Sequence, residues 1–149
     1  MKIELAGEAD LADLLPMMRA YCDFYEAAPS DEDVDALARA LIADPGNEGV
    51  QVIARSDDGS PLGFATIYWY WQTLSAARAA LMNDLFVVPQ ARGQGVGRAL
   101  IEECRHHARE RGAETLAWET APDNETAQRL YRSIGAREER WISYSLDTR

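Results

Sequence analysis

The spacing of apolar positions changes several times along this chain, and each change marks an element. Met1 to Ala6 alternates, with Ile3 and Leu5 on one side, which predicts a short strand. From Glu8 to about Glu26 the period becomes helical, with Leu11, Leu14, Leu15, Met18, Cys22 and Tyr25 in one stripe. Pro16 lies inside that stripe and predicts a kink or a break. Ser30 and Asp33 have the spacing of a helix cap, opening a second helix through Leu37, Ala40 and Leu41. Asp44-Pro45-Gly46-Asn47 ends it. Val50 to Ala54 reads as a strand, followed by a turn at Ser56 to Ser60. Gly63 to Trp71 and Ala80 to Val88 read as two longer strands. Val96, Ala99, Leu100, Glu103, Cys104 and His107 mark one side of a helix that ends near Gly112. Thr115 to Glu119 is a strand, Asn124 to Ser133 a helix stopped by Gly135, and Arg140 to Leu146 a last strand. No repeat, low-complexity stretch or linker interrupts the series, so residues 1–149 are expected to form one α/β domain.

The most informative stretch is Val87-Val88-Pro89-Gln90-Ala91-Arg92-Gly93-Gln94-Gly95-Val96-Gly97-Arg98-Ala99-Leu100. It joins a strand end to a helix start through glycines at alternate positions. Backbone freed of side chains can turn its N–H groups toward a ligand, and the following helix aims its positive end the same way. That geometry suits a phosphate or pyrophosphate, and Arg92 and Arg98 can add charge-assisted hydrogen bonds. A dinucleotide fingerprint starting at Gly93 or Gly95 needs a glycine at 98 or 100, where Arg98 and Leu100 stand. A P-loop needs Gly-Lys-Ser/Thr, and no such run exists.

What remains, Arg-x-x-Gly-x-Gly at Arg92, Gly95 and Gly97, resembles the acetyl-CoA pyrophosphate loop of the GNAT superfamily of N-acetyltransferases. Asn124 to Ala136 resembles the Asn-x-x-Ala-x-x-Leu-Tyr-x-x-x-Gly motif of the same superfamily. Leu81 to Val88 resembles its central cofactor-binding strand. The resemblance is close from about Gly49 onward and looser before it, and it points to the diamine (spermidine/spermine-type) and histone/polyamine branch. It implies a mixed, mostly antiparallel sheet, splayed at the cofactor site, with helices on both faces.

It also implies acetyl transfer from acetyl-CoA to a primary amine, of a polyamine or another small cationic amine. The alternatives are a lysine acetyltransferase of proteins or peptides, and a non-catalytic acyl-CoA sensor. In the superfamily the pantetheine arm inserts between two splayed strands, here Ala80–Val88 and Thr115–Glu119. Backbone at Phe86, Val87 and Val88 is expected to hold that arm. Gly93, Gln94, Gly95, Val96, Gly97 and Ala99, with Arg92 and Arg98, are expected around the pyrophosphate. Asn124 is expected to bond the pantetheine, to cap its helix, or both. Tyr131 is the implied general acid for the leaving thiolate, although Ala127, Leu130, Tyr131 and Ile134 also form an apolar stripe. The branch often carries Glu-Asp before the loop, where this chain has Asn83-Asp84. Asp84 and Glu119 are therefore both candidates for the general base. Tyr68 and Tyr70, or Trp69 and Trp71, alternate on one strand, so one pair is expected to face the acceptor, within reach of Tyr25, Glu26, Asp31 and Glu32.

Charge narrows the partners. The chain carries 25 acidic against 15 basic residues, a net charge of −10. Nothing there gathers phosphate counterions, so nucleic acid is not expected, whereas a cationic acceptor is electrostatically favoured. No apolar run approaches a membrane span and no signal peptide opens the chain, so a cytoplasmic protein is expected. Cys22 and Cys104 predict two reduced thiols, and His106-His107 predict a solvated helix face, so no metal is expected. A homodimer is expected by analogy with the branch.

Overall fold

Five strands lie side by side in chain order: β1 (Lys2–Leu5), β2 (Gly49–Arg55), β3 (Pro61–Gln72), β4 (Ala77–Val87) and β5 (Ala113–Ala117). β1 to β4 pair antiparallel, and β5 joins β4 in parallel. The computed structural model describes residues 1–148. It divides into two units, Met1–Glu119 and Thr120–Arg149. The sheet belongs to the first.

Two helices, α1 (Leu11–Phe24) and α2 (Asp31–Ala43), cover one face of the sheet. Leu11, Leu14, Met17 and Met18 of α1 and Val34 and Ala38 of α2 pack with Ile53, Phe64 and Phe86. Leu14, Ile53 and Phe64 are fully buried, and each such side chain stabilises the fold by about 1.5–3 kcal/mol. A third helix, α3 (Val96–Glu110), lies on the opposite face, where Leu100 approaches Gly63. A Cβ on Gly63 would sit 2.3 Å from the Phe86 carbonyl oxygen, so glycine there lets β3 close on β4.

Local chemistry sets the helix starts. Ser30 accepts from the Asp33 N–H at 3.1 Å, and Asp31, Glu32 and Asp33 complement the positive end of α2. Arg55 on β2 bonds Asp10 at 2.8 Å and Asp13 at 2.7 Å, tying the sheet to the start of α1. α1 runs through Pro16 without the expected break, losing only the bond that residue's N–H would have made. His107 is half-buried rather than solvated. Its Nε2 lies 3.3 Å from Glu103, and burial lowers its pKa.

The second unit contains α4 (Glu125–Ser133), which Asn124 caps by accepting from the Ala127 N–H at 3.2 Å. Gly135 stops it in the left-handed region, at φ +79°. The expected strand Arg140–Leu146 does not form, and that stretch takes no regular structure. Its sequence alternates as a strand would, but a strand exists only through a ladder partner, and the sheet ends at β5.

Candidate active site

Two features of β4 open a slot in the sheet. Its pairing with β5 ends at Leu81↔Ala117, while β4 continues to Val87. Thr66 pairs with Asp84 but Ile67 with Met82, so β4 carries one extra residue, Asn83, in a bulge two residues past the last β5 pair. A bulge bends its strand and adds twist. Among the described residues, β4 from there on has β3 on one side and no strand on the other.

Backbone alternation decides which groups face that open side. The Val88 N–H donates to the Leu62 carbonyl at 2.9 Å, toward β3. Phe86, two residues earlier and paired with Phe64, points its groups the same way. Leu85 and Val87 therefore turn their amide groups outward. This corrects the expectation for Phe86 and Val88 by one residue, and it brings in Leu85, which the sequence reading omitted. The bulge sets that phase, and no local spacing reveals it. The Val87 carbonyl accepts from Arg92 Nε at 3.0 Å, which fixes that guanidinium at the end of β4.

The glycine loop follows directly. Gly93 and Gly95 have φ of +74° and +84°, and no atom lies within 4 Å of the place a Cβ would take on either. Glycine is required here for conformation, not for space. Gly95 is the residue before α3, and no side chain caps the helix. The N–H groups of Val96, Gly97 and Arg98, in the first turn, are thus offered outward with the positive end of a 15-residue helix. Gln94 is turned back, its Nε2 donating to the Gln90 carbonyl at 2.8 Å. Val96 is buried and Ala99 half-buried, so these two contribute backbone and packing only. An open cradle of N–H groups with Arg92 and Arg98 beside it fits a pyrophosphate.

Asp84 stands on β4 at the bulge, on the α1 face. It is 9% exposed, and burial raises its pKa, partly offset by hydrogen bonds from Thr66, Asn83 and Tyr21. Asn83 Nδ2 donates to it at 2.9 Å. The Tyr21 hydroxyl shares its one proton between Asp84 and the Asn83 carbonyl, 3.2 Å away, linking α1 to the bulge. Tyr68 shares this face, and burial together with the Asp84 charge pushes its pKa up to about 12. Of the alternating aromatics it is therefore the Tyr68 and Tyr70 side that faces the carboxylate. Trp69 and Trp71 face the other way, beside Arg111 and Arg78. Tyr25 stacks edge-on against Tyr21. Asp31 is occupied by Arg19 at 2.7 Å. Glu119 is exposed beyond the end of β5.

Tyr131 lies half-buried on α4, in the stripe with Ala127, Leu130 and Ile134. The motif from Asn124 to Gly135 thus folds as a capped helix with a left-handed stop.

The Acetyltransferase (GNAT) family model matches residues 14–136, across both units. The chain belongs to the GNAT acetyltransferase family. It is 32% identical over 148 residues to the uncharacterized N-acetyltransferase YhfO of Bacillus subtilis (strain 168), covering 99% of this chain and 97% of that protein. It is 28% identical over 133 residues to an aminoglycoside N(6')-acetyltransferase type 1 of Klebsiella aerogenes, covering 88% of each. Its fold matches that of AAC(6')-Iy, solved with the bisubstrate analog CoA-S-monomethyl-acetylneamine. The TM-score is 0.84 at 22% identity, over 98% of this chain and 97% of that one. The protein is an N-acetyltransferase of α/β GNAT fold.

Proposed function

We propose that this N-acetyltransferase moves the acetyl group of acetyl-CoA to the primary amine of a small cationic acceptor. The observation that carries the reading is Asp84, a buried carboxylate with a raised pKa at the point where β5 leaves β4. A carboxylate so placed can take a proton from an ammonium and hold the remaining positive charge of a polyamine-like acceptor. Glu119 is exposed where Asp84 is buried, which favours Asp84 as base. Tyr21, Tyr25 and Tyr68 give the same face aromatic surface for an organic cation. The relative named for aminoglycoside acetylation is consistent with an amine carried on a small molecule.

Acetyl-CoA supplies an activated thioester when bound. The loop from Gly93 to Gly97, with Arg92 and Arg98, holds its pyrophosphate. The outward amides of Leu85 and Val87 receive the pantetheine arm, and a strand N–H meets the thioester oxygen as negative charge develops there. A bond forms between nitrogen and the acetyl carbon, and the carbon–sulfur bond breaks. The amine proton goes to Asp84. Through the motif it shares with the family, Tyr131 is the proposed donor of the proton taken up by the thiolate.

Thiol release should be followed across a panel holding a diamine, an aminoglycoside, a neutral primary amine and a lysine peptide. Turnover of the cationic small molecules at least about tenfold above the others is the expected result, a difference that one desolvated charge pair supplies. Preference for the peptide, or thiol release with none of them, defeats the proposal.

A further inference from the structure

The buried polar and charged side chains among the described residues number three, Gln51, Thr66 and Asp84, at 3%, 0% and 9% exposure. They are not scattered. Gln51 on β2 pairs with Thr66 on β3, and Thr66 pairs with Asp84 on β4. Cross-strand partners share a face, so the three form a row across the middle of the sheet under α1. Gln51 Nε2 donates to Thr66 Oγ1 at 3.1 Å and lies 3.4 Å from Met18 Sδ. Gln51 Oε1 is buried with no hydrogen-bond partner.

Stability does not account for this row. An orphaned buried acceptor costs more than a made hydrogen bond contributes, and apolar side chains would pack the same face without it. Proton direction does account for it. A hydroxyl carries one proton. Because Gln51 donates into the Thr66 oxygen, the Thr66 proton is left for Asp84. Turned over, the amide would satisfy Oε1 by taking that proton, and the carboxylate would lose a donor.

We propose that Thr66 and Gln51 are positioning residues for acetyl transfer, Gln51 orienting the Thr66 hydroxyl and Thr66 fixing the Asp84 carboxylate. The inference rests on the reading of Asp84 as the base. The titratable groups facing Asp84 are Tyr21 on α1 and Tyr68 on β3, and no cation is among the groups that shift it. Its ionised form thus depends on neutral donors, of which Thr66 contributes most.

The test follows the Asp84 carboxyl carbon by 13C NMR titration, assigned by its disappearance in Asp84→Asn, and measures kcat with the best acceptor of the panel. Thr66→Val removes the hydroxyl at nearly constant shape. It should raise the Asp84 midpoint by about 0.5–1 pH unit, the size of one lost hydrogen bond to a carboxylate. Below the midpoint kcat should fall roughly 3–10-fold, since fewer molecules carry the ionised base, with the KM for acetyl-CoA unchanged. Thr66→Ser should restore both. Gln51→Met should shift the midpoint the same way by less, and it decides the matter if Thr66→Val does not fold. A purely structural role would lower the melting temperature and leave the midpoint in place. An unmoved midpoint, or a moved midpoint with unchanged kcat, overturns the positioning role. Full activity in Asp84→Asn overturns instead the reading of Asp84 as base.

Discussion

Asp84 is the residue at which function and stability conflict. In the unfolded chain it ionises near 3.8, and in the folded protein burial raises that value. Between the two the folded state keeps a proton that the unfolded state has released. The wild type therefore loses stability as pH rises from about 4 through the folded midpoint, and the loss is complete above it. Asp84→Asn has no such group. The melting temperature of the variant relative to wild type should grow as pH rises from about 4 through the folded midpoint of Asp84, and level off above it. A constant difference across that range would show that Asp84 is solvated. As a candidate Asp84 was legible through the resemblance, at the position where the branch often carries Glu-Asp and this chain has Asn83-Asp84, with Glu119 an equal candidate. Its supports were not. Thr66 and Gln51 lie 18 and 33 positions from it along the chain, and only strand register brings them together.

At the scale of elements, backbone chemistry was the easiest to read. Ser30, Asn124 and the left-handed glycines act on their own neighbours, so their effect is written locally. Leu85 and the failed strand at Arg140–Leu146 show the other side, since both depend on a partner strand. The loop before α3 allows a clean separation of conformation from charge. Asn and Asp both tolerate the left-handed conformation that Gly95 adopts, and both cap helices well. Gly95→Asn and Gly95→Asp should therefore melt within a few degrees of each other. The aspartate variant should bind CoA about tenfold or more weaker than the asparagine variant, because its carboxylate opposes the pyrophosphate. Equal affinities by calorimetry would remove the pyrophosphate from this loop.

For the molecule as a whole, the excess of acidic over basic residues gives a net charge of −10 and a field that draws cations from a distance. Salt screens that field over about 8–10 Å. Raising ionic strength from about 50 to about 300 mM should lower kcat/KM for a diamine several-fold, leaving a neutral amine within about twofold. Stopped-flow or steady-state rates at both salts decide it, and parallel curves for the two acceptors would show that the charge serves solubility alone.

The extra residue in β4 has a further consequence. Asp84 and Met82 already sit opposite neighbouring residues of β3, so removing Asn83 leaves every side chain on its own face. The slot is thus specified by a count, not by the chemistry of any side chain. A chain shortened by that one residue should have a straight β4, along which β5 can keep pairing past Ala117. It should still fold, by circular dichroism, despite losing the Asn83 contacts to Asp84 and Tyr21, and should not hold CoA by calorimetry, an enzyme closed by deleting one link of its backbone.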